Sequence, residues 1–281
     1  QNYLYDELLI FHHSYNNIYK YNYLFQKLTF SKTYMLPIFF LFYLLTEPHV
    51  PRMPSTMFKG KSGLGFRGDA ILQLDWAVGE IMKQIKASGI EKNTIIIFSS
   101  DNGPVLDDGY VDGAVTQLNG HTPSGPLRGG KYSAFESGTR VPFIVHWPGK
   151  VKPKVSDALV CQIDLMASFA EMLRQTIAPK EASDSENVLK ALLGKSSIGR
   201  SVLVKQGGAL SITKNDWKYI EPNNGPAVNT LTNIQLGNLP KPQLYNLKTD
   251  IGEQNNLADK HPQIVEELAA LLEKIKQQHQ E

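Results

Sequence analysis

The chain is 281 residues long, 42% hydrophobic and 20% charged, which is the composition of a globular protein with room for a substantial core. A formal net charge of +2, with no dense block of lysine and arginine, argues against a nucleic-acid-binding protein. The single cysteine, Cys161, excludes an internal disulfide and any metal site made of several cysteines. The pattern of the first residues predicts no signal peptide, and the apolar run at 35–45 is too short to span a bilayer.

Residues 1–36 have an unusual composition. Tyrosine, phenylalanine, asparagine, lysine and isoleucine fill 19 of these 36 positions, whereas ordinary domains keep close to average residue usage. Two interpretations are open. In the first, the segment was translated from a shifted reading frame and joins a genuine protein near Pro37. In the second, it is a native aromatic helical segment in which Tyr19, Tyr23 and Phe30 pack.

From residue 37 the composition becomes ordinary, and the first elements alternate between strand and helix. The continuous apolar run at 38–45 predicts a strand, and two prolines flank His49 in the loop that follows. Apolar residues at helical spacing predict a helix over 67–88, and residues 94–99 predict a strand buried on both faces. A strand, a helix and a strand in this order indicate a parallel pair with a right-handed crossover.

Asp101, Asn102 and Gly103 come directly after the strand at 94–99. Functional groups gather beyond the carboxyl ends of strands in α/β sheets, and carboxylate and amide oxygens suit a hard cation such as Ca²⁺ or Mg²⁺. The same three residues also favour a simple turn. From these residues alone both interpretations stay open.

The rest of the chain predicts a polar loop, a few α/β elements and then a smaller unit. The loop runs to about Lys131; strands at 141–147 and 157–161 and a helix at 163–173 follow. The polar stretch at 179–199 leads to short antiparallel strands and a final helix entered at Pro262. These strands are predicted at 209–213, 217–221 and 243–247. We therefore divide the chain into an atypical segment (1–36), an α/β domain (37–178) and a small C-terminal subdomain (179–281).

Several ordered motifs resemble the sulfatase (arylsulfatase) family of the alkaline-phosphatase-like superfamily. They are TEPHVPR at 46–52, GFRGDAILQLDW at 65–76, IFSSDNG at 97–103, LRGGK at 127–131, ESGTRVP at 136–142, HWPG at 146–149, NDWKYI at 215–220 and LYNLKTDIGEQNNL at 244–257. The resemblance covers about residues 37–281. It implies an α/β fold: a mixed sheet with flanking helices, truncated at its N-terminal half, followed by a small C-terminal subdomain with an antiparallel sheet and a helix.

By this resemblance, Asp101 and Asn102 match a pair of calcium ligands, with Mg²⁺ as the alternative. Lys131 matches a lysine that contacts the sulfate and its leaving oxygen, and His49 matches a histidine of the same pocket that is suited to protonate the departing alcohol. Glu136 and Arg140 are expected to brace the fold as an ion pair, and Arg67 and Asp69 to anchor the start of a helix.

The family's formylglycine nucleophile is made from a Cys/Ser-x-Pro/Ala-x-Arg segment, and this chain offers no convincing one. Cys161 lies in Val-Cys-Gln-Ile-Asp, which lacks the proline and arginine, so we expect it to be a small buried residue. Ser124-Gly-Pro-Leu-Arg128 matches literally, but it abuts the LRGGK motif and lacks a strand-to-helix setting. The chain as given is therefore expected to be inactive, although the complete enzyme would hydrolyse sulfate esters of aryl compounds or carbohydrates.

Two other functions are alternatives. One is a non-catalytic pseudoenzyme or binding module for sulfated ligands, and the other is a phosphodiesterase or phosphonate hydrolase of the same superfamily. The expected partner is a sulfated small molecule or glycan, with no nucleic acid and no membrane span, and with self-association through an exposed sheet edge. The resemblance implies a periplasmic or secreted protein.

Overall fold

The computed structural model describes residues 8–10, 40–178 and 180–278. Most of the atypical segment lies outside these residues, so both interpretations of it stay open. The chain divides into two compact units. The first contains residues 1–91 and 110–119, and the second contains residues 92–109 and 120–281.

The first unit is built on one long helix, α1 (Gly65–Ala87), close to the predicted bounds. Asp69, in the first turns of this helix, stabilises the loop before it. Its carboxylate accepts hydrogen bonds from the Gly60 and Ser62 backbone N–H groups at 2.7 and 2.9 Å. The helix ends where Gly89 takes a positive φ of 72° and its N–H donates to the Lys86 carbonyl at 2.9 Å. The expected role of Asp69 at the helix start is thus visible in its contacts.

The predicted parallel pair between the strands at 38–45 and 94–99 is not formed. The first of these strands, β2 (Phe40–Phe42), instead pairs in parallel with β1 (Leu8–Ile10). The second, β3 (Ile96–Ser99), pairs antiparallel with β4 (Phe143–His146) and is half-buried instead of fully buried. An apolar run predicts that a strand is present, but it carries no information about the partner strand or its direction.

Short helices follow β4 in the second unit. The predicted strand at 157–161 is absent; these residues lead into a single 3-10 turn (Gln162–Asp164) and α3 (Leu165–Leu173). The reason is local, since the Asp164 carboxylate accepts the Cys161 N–H at 2.9 Å and starts the turn. A further short helix, α4 (Leu189–Leu192), contributes to a small apolar cluster that includes Phe143 and Val145 of β4.

The C-terminal part contains an antiparallel sheet of four strands in the order β10-β7-β6-β5. The three predicted strands are confirmed as β6 (Ala209–Lys214), β7 (Trp217–Ile220) and β10 (Gln243–Asn246). The edge strand β5 (Val202–Gly207) was not predicted, and a two-residue pair, β8 (Val228–Asn229) with β9 (Ile234–Gln235), lies before β10. The predicted final helix is confirmed as α5 (Pro262–Gln278).

Both faces of this sheet are covered. On one face, Leu268 and Leu272 of α5 pack against Ile212, Tyr219 and Leu244. The other face receives the segment 127–140, which contains α2 (Glu136–Thr139) and packs Ala134 and Phe135 against the sheet. The sheet is therefore the platform on which the loop carrying Lys131 is held. Among the described helices, none is both long and apolar enough to cross a membrane.

Candidate functional site

Asp101 and Asn102 lie just beyond the end of β3, separated from it by Ser100, and Asp101 is exposed. The Asp101 Oδ1 atom accepts the Asn102 N–H at 3.0 Å, and the Asn102 side-chain amide donates to the Gly103 carbonyl at 2.9 Å. In the described ranges, the hydrogen bonds of these two side chains use Asp101 Oδ1 and the Asn102 amide nitrogen, so the remaining side-chain oxygens are Asp101 Oδ2 and Asn102 Oδ1. These two hard oxygen atoms are therefore available to a cation.

Gly103 is required by packing and not by turn geometry. A Cβ atom at this position would lie 1.6 Å from the Ser137 carbonyl oxygen, so any other residue would displace the backbone. The Gly103 N–H donates to the Gly138 carbonyl at 3.0 Å, which fixes the end of β3 against α2. The Asp-Asn-Gly motif is thus more than a flexible turn, because its last residue attaches the carboxylate and the amide to a neighbouring segment.

Lys131 lies on the segment next to this pair. Its N–H donates to the Pro104 carbonyl at 2.9 Å, and Pro104 is two residues after Asn102. Two residues of chain span at most about 7 Å, so the backbones of the predicted metal pair and the predicted sulfate lysine are close neighbours. The structure thus brings together three of the four predicted residues.

The Lys131 side chain has two polar neighbours that the sequence did not reveal. The Asp108 Oδ2 atom lies 3.9 Å from Lys131 Nζ. The Tyr132 hydroxyl donates a hydrogen bond to the Asp108 Oδ1 atom at 3.3 Å. The Lys131 ammonium also lies 5.3 Å from the centre of the Tyr132 ring. Asp108 belongs to the polar loop after β3, which contains several aspartates. No sequence pattern distinguishes Asp108 from the others as a neighbour of Lys131.

His49 belongs to the first unit, and the other three predicted residues belong to the second. It is exposed, and its Nδ1 atom lies 2.7 Å from the carbonyl oxygen of Val50. Its backbone N–H donates to the Thr46 carbonyl at 3.0 Å, so the loop between the two prolines holds a defined turn. The role of His49 stays a prediction.

A network of buried charges lies beneath the segment that carries Lys131. The Glu136 Oε1 atom lies 2.5 Å from Lys205 Nζ and 3.0 Å from Lys218 Nζ, and Lys218 Nζ lies 2.9 Å from Glu253 Oε1. The Glu136 backbone N–H donates to the Glu253 carboxylate at 2.6 Å, and Arg140 lies 3.6 Å from Glu136. The predicted pair of Glu136 and Arg140 is thus formed, but the two lysines are its shorter partners.

The charges in this network shift one another's protonation. Burial works to raise the pKa of the Glu136 carboxyl, but the ammonium groups of Lys205 and Lys218 outweigh it and lower that pKa to about 2. Burial, together with the like charge of Lys218, lowers the pKa of Lys205. Burial raises the pKa of Glu253, against the attraction of Lys218. Glu136 is therefore ionised at neutral pH and holds the two lysines together.

Neither candidate nucleophile has a suitable setting. Cys161 is a free thiol that is half-buried, not fully buried as expected, and it leads into a 3-10 turn. Ser124 lies in a turn, where its hydroxyl accepts a hydrogen bond from the Ser137 hydroxyl at 2.8 Å and lies 3.4 Å from the Gly129 carbonyl. Neither residue therefore fits the precursor of a formylglycine.

The residues present fit a divalent cation only in part. The donor set of Asp101 and Asn102 has the right chemistry for Ca²⁺ or Mg²⁺. However, no group of three or more histidine, cysteine, aspartate or glutamate side chains that could hold a metal is found among residues 40–178 and 180–278. Asp101 and Asn102 would therefore supply two ligands of a larger site.

The model of the sulfatase family matches residues 30–175. The chain belongs to the sulfatase family. Its curated relatives include the N-acetylgalactosamine-6-O-sulfatase of Bacteroides thetaiotaomicron, which is 53% identical over 240 residues, 85% of this chain and 47% of that protein. Human arylsulfatase A is 29% identical over 251 residues, 83% of this chain and 48% of that protein. The chain thus spans about half the length of the curated relatives it matches.

Solved structures agree with this assignment. A structure from a study of glycosaminoglycan metabolism by Bacteroides thetaiotaomicron superposes with a TM-score of 0.81 at 53% identity, covering 83% of this chain and 49% of that one. A sulfatase from a Pseudoalteromonas species superposes with a TM-score of 0.68 at 22% identity, covering 82% and 46%. The predicted α/β fold of the alkaline-phosphatase-like type is therefore confirmed, for the part of the fold that this chain covers.

Proposed function

We propose that this chain supplies part of the active site of an enzyme that hydrolyses sulfate esters on a sugar, with N-acetylgalactosamine 6-sulfate as the first substrate to test. The observation that carries the proposal is the hydrogen bond between the Lys131 N–H and the Pro104 carbonyl, which holds the Lys131 backbone near Asp101 and Asn102. The 53% identity to an N-acetylgalactosamine-6-O-sulfatase supports the choice of sugar. As in other sulfatases, we propose an exported enzyme.

In this proposal each residue has one role. Asp101 and Asn102 hold a divalent cation, which when bound supplies positive charge near the sulfate oxygens. Lys131 donates a charged hydrogen bond to the sulfate and to the leaving oxygen as negative charge develops there. His49 gives a proton to the departing alcohol as a general acid.

A chimera tests the proposal. The 240 matching residues of the Bacteroides thetaiotaomicron N-acetylgalactosamine-6-O-sulfatase are replaced by those of this chain, and sulfate release from N-acetylgalactosamine 6-sulfate is measured. We expect turnover, and we expect Lys131→Ala to lower kcat/KM by about 10²- to 10³-fold, as loss of a donor to a developing oxyanion does. Lys150→Ala, in an exposed turn of the same unit, is the matched control and should leave kcat/KM unchanged.

Three outcomes would contradict the proposal. A folded chimera that binds the sulfated sugar but releases no sulfate would favour the pseudoenzyme alternative. A chimera that prefers an aryl phosphodiester over the sulfate ester would favour the phosphodiesterase alternative. Full activity in Lys131→Ala would remove the lysine from the reaction.

A further inference from the structure

The turn that carries Lys131 places a tyrosine where a glycine would be unstrained. The Ser133 N–H donates to the Gly130 carbonyl at 3.0 Å, and Tyr132, the third residue of the turn, has φ +77°. A type II turn requires a positive φ at this position, which glycine and asparagine adopt easily and bulky residues do not. Among the described non-glycine residues with positive φ, three of six are asparagines, and Tyr132 is the one aromatic.

The ring of Tyr132 does not explain this strain by packing in the core. It is 42% exposed, in contrast to Ser133 and Ala134, which follow it in the chain and are almost fully buried. Its contacts are those to Asp108 and Lys131 described above. We call these three residues the Lys131–Tyr132–Asp108 cluster. In this cluster a cation, an aromatic ring and a carboxylate lie side by side: the Lys131 and Asp108 side chains are 16% and 20% exposed, and Tyr132 is the most exposed of the three.

We propose that Tyr132 is a specificity-determining residue whose ring forms a platform for the sugar ring of the substrate. This inference rests on the proposed role of Lys131 in binding the sulfate. The face of a pyranose that carries axial C–H bonds is apolar and packs well on the face of an aromatic ring.

The distance between Lys131 Nζ and the ring brings the ring within reach of a sugar whose sulfate Lys131 binds. A sulfate oxygen bound by Lys131 would lie about 2.8 Å from Nζ, and the rest of the ester continues from the sulfur a few bonds further on. The ring centre of Tyr132 lies 5.3 Å from the same Nζ atom, so the platform starts within that reach. The hydroxyl contact to Asp108 limits rotation of the side chain, which lowers the cost of ordering it on binding.

The choice of tyrosine over glycine is then understandable. The strain of a positive φ is maintained at functional sites when the side chain is needed in that position. A turn that needed only to position Lys131 would be more stable with a glycine in place of Tyr132, because glycine adopts this φ without cost. The contacts of the side chain, to Asp108 and Lys131, lie at the candidate site, and this supports a role for the ring there.

Weak-affinity chromatography on the immobilised 281-residue chain tests the inference with three probes: N-acetylgalactosamine 6-sulfate, N-acetylgalactosamine and inorganic sulfate. We expect the sulfated sugar to be retained about tenfold more strongly than inorganic sulfate, the increment that a partly buried apolar contact of this size gives. Tyr132→Gly suits the turn and keeps the fold, and it should remove this increment while leaving retention of inorganic sulfate unchanged. Tyr132→Phe keeps the ring and should keep most of the increment.

The variants separate a failure of the inference from a failure of the proposed function. If Tyr132→Gly retains the sulfated sugar as well as the unchanged chain does, while Lys131→Ala loses it, the platform is wrong and the role of Lys131 stands. If Lys131→Ala changes the retention neither of N-acetylgalactosamine 6-sulfate nor of inorganic sulfate, the proposed role of Lys131 in binding the sulfate is wrong. The proposed platform is then wrong as well, because it rests on that role. Equal loss in Tyr132→Phe and Tyr132→Gly would assign the effect to the hydroxyl and would also overturn the platform.

Discussion

Replacing Glu136 by glutamine should destabilise the chain, because it removes the negative charge between Lys205 and Lys218. Glutamine has nearly the same shape, so the change tests charge and not packing. The network lowers the pKa of Glu136 from 4.5 to about 2, and this difference of about 2.5 pKa units corresponds to roughly 3 kcal/mol of stability. The same figure is at the lower end of the cost of breaking a buried ion pair, about 3–5 kcal/mol.

The sign of the pH dependence follows from the direction of this shift. Because the pKa of Glu136 is lower in the folded state than in the unfolded chain, its contribution is fully present above about pH 4.5 and is lost as the pH falls towards about 2. The difference between the unchanged chain and Glu136→Gln should therefore be constant between pH 6 and 8. It should shrink between pH 4.5 and 2.5.

Urea unfolding followed by circular dichroism at pH 7 and pH 3 measures the free energy of unfolding of each variant. Glu267→Gln is the matched control: Glu267 pairs with Lys214 at 2.6 Å, but the two side chains are 57% and 36% exposed. Such exposed pairs contribute about 0–1 kcal/mol, so this variant should unfold almost like the unchanged chain. A loss below about 1 kcal/mol in Glu136→Gln, or a loss equal at the two pH values, would refute the account of the network.

Three further predictions concern the chain as given. Asp101 and Asn102 supply two of the roughly six oxygens that Ca²⁺ needs, so calorimetry should show weak binding, and micromolar affinity lost in Asp101→Ala would contradict this. Phe40, Phe42 and Leu44 are each more than half exposed, so light scattering should show self-association; a monodisperse monomer would speak against it. Without a suitable nucleophile the chain should not hydrolyse 4-nitrophenyl sulfate with Ca²⁺ present. Turnover that disappears in Lys131→Ala would make Ser124 the nucleophile, and mass spectrometry would then look for its oxidised form.

The elements that the sequence predicted well are those with a complete local signal. The helices α1 and α5 have apolar residues at helical spacing over three or more turns; α1 lies close to its predicted bounds, and α5 begins at the predicted Pro262. The strands β6, β7 and β10 are short apolar runs bounded by polar turns, and all three are present. Strand pairing was predicted wrongly for β2 and β3, because pairing depends on residues far away in the chain.

The buried network shows a different limit of sequence reasoning. Lys218 lies between Trp217 and Tyr219 in β7, a pattern that usually indicates a solvated lysine on the outer face of a sheet. In the structure the outer face is covered by the segment 127–140, and Lys218 is fully buried. Its partners, Glu136 and Glu253, lie far from it in the chain, and no local pattern connects the three. The motifs identified the predicted site residues, but not the structure that supports them.

This arrangement links the small C-terminal sheet to the candidate site. The Ser133 hydroxyl donates to the Gln235 carbonyl at 2.7 Å, the Ala134 N–H donates to the Leu236 carbonyl at 2.9 Å, and Arg128 donates to the Glu253 carbonyl at 2.7 Å. Each of these bonds joins the segment of Lys131 to residues more than 100 positions later. A polar, glycine-rich loop has too few contacts of its own to offset the entropy of ordering it. The segments around the sheet supply those contacts, and the sheet adds the packing of Ala134 and Phe135 and the ion pairs of Glu136 with Lys205 and Lys218. A change that weakens the network around Glu136 would therefore displace Lys131 without contacting it.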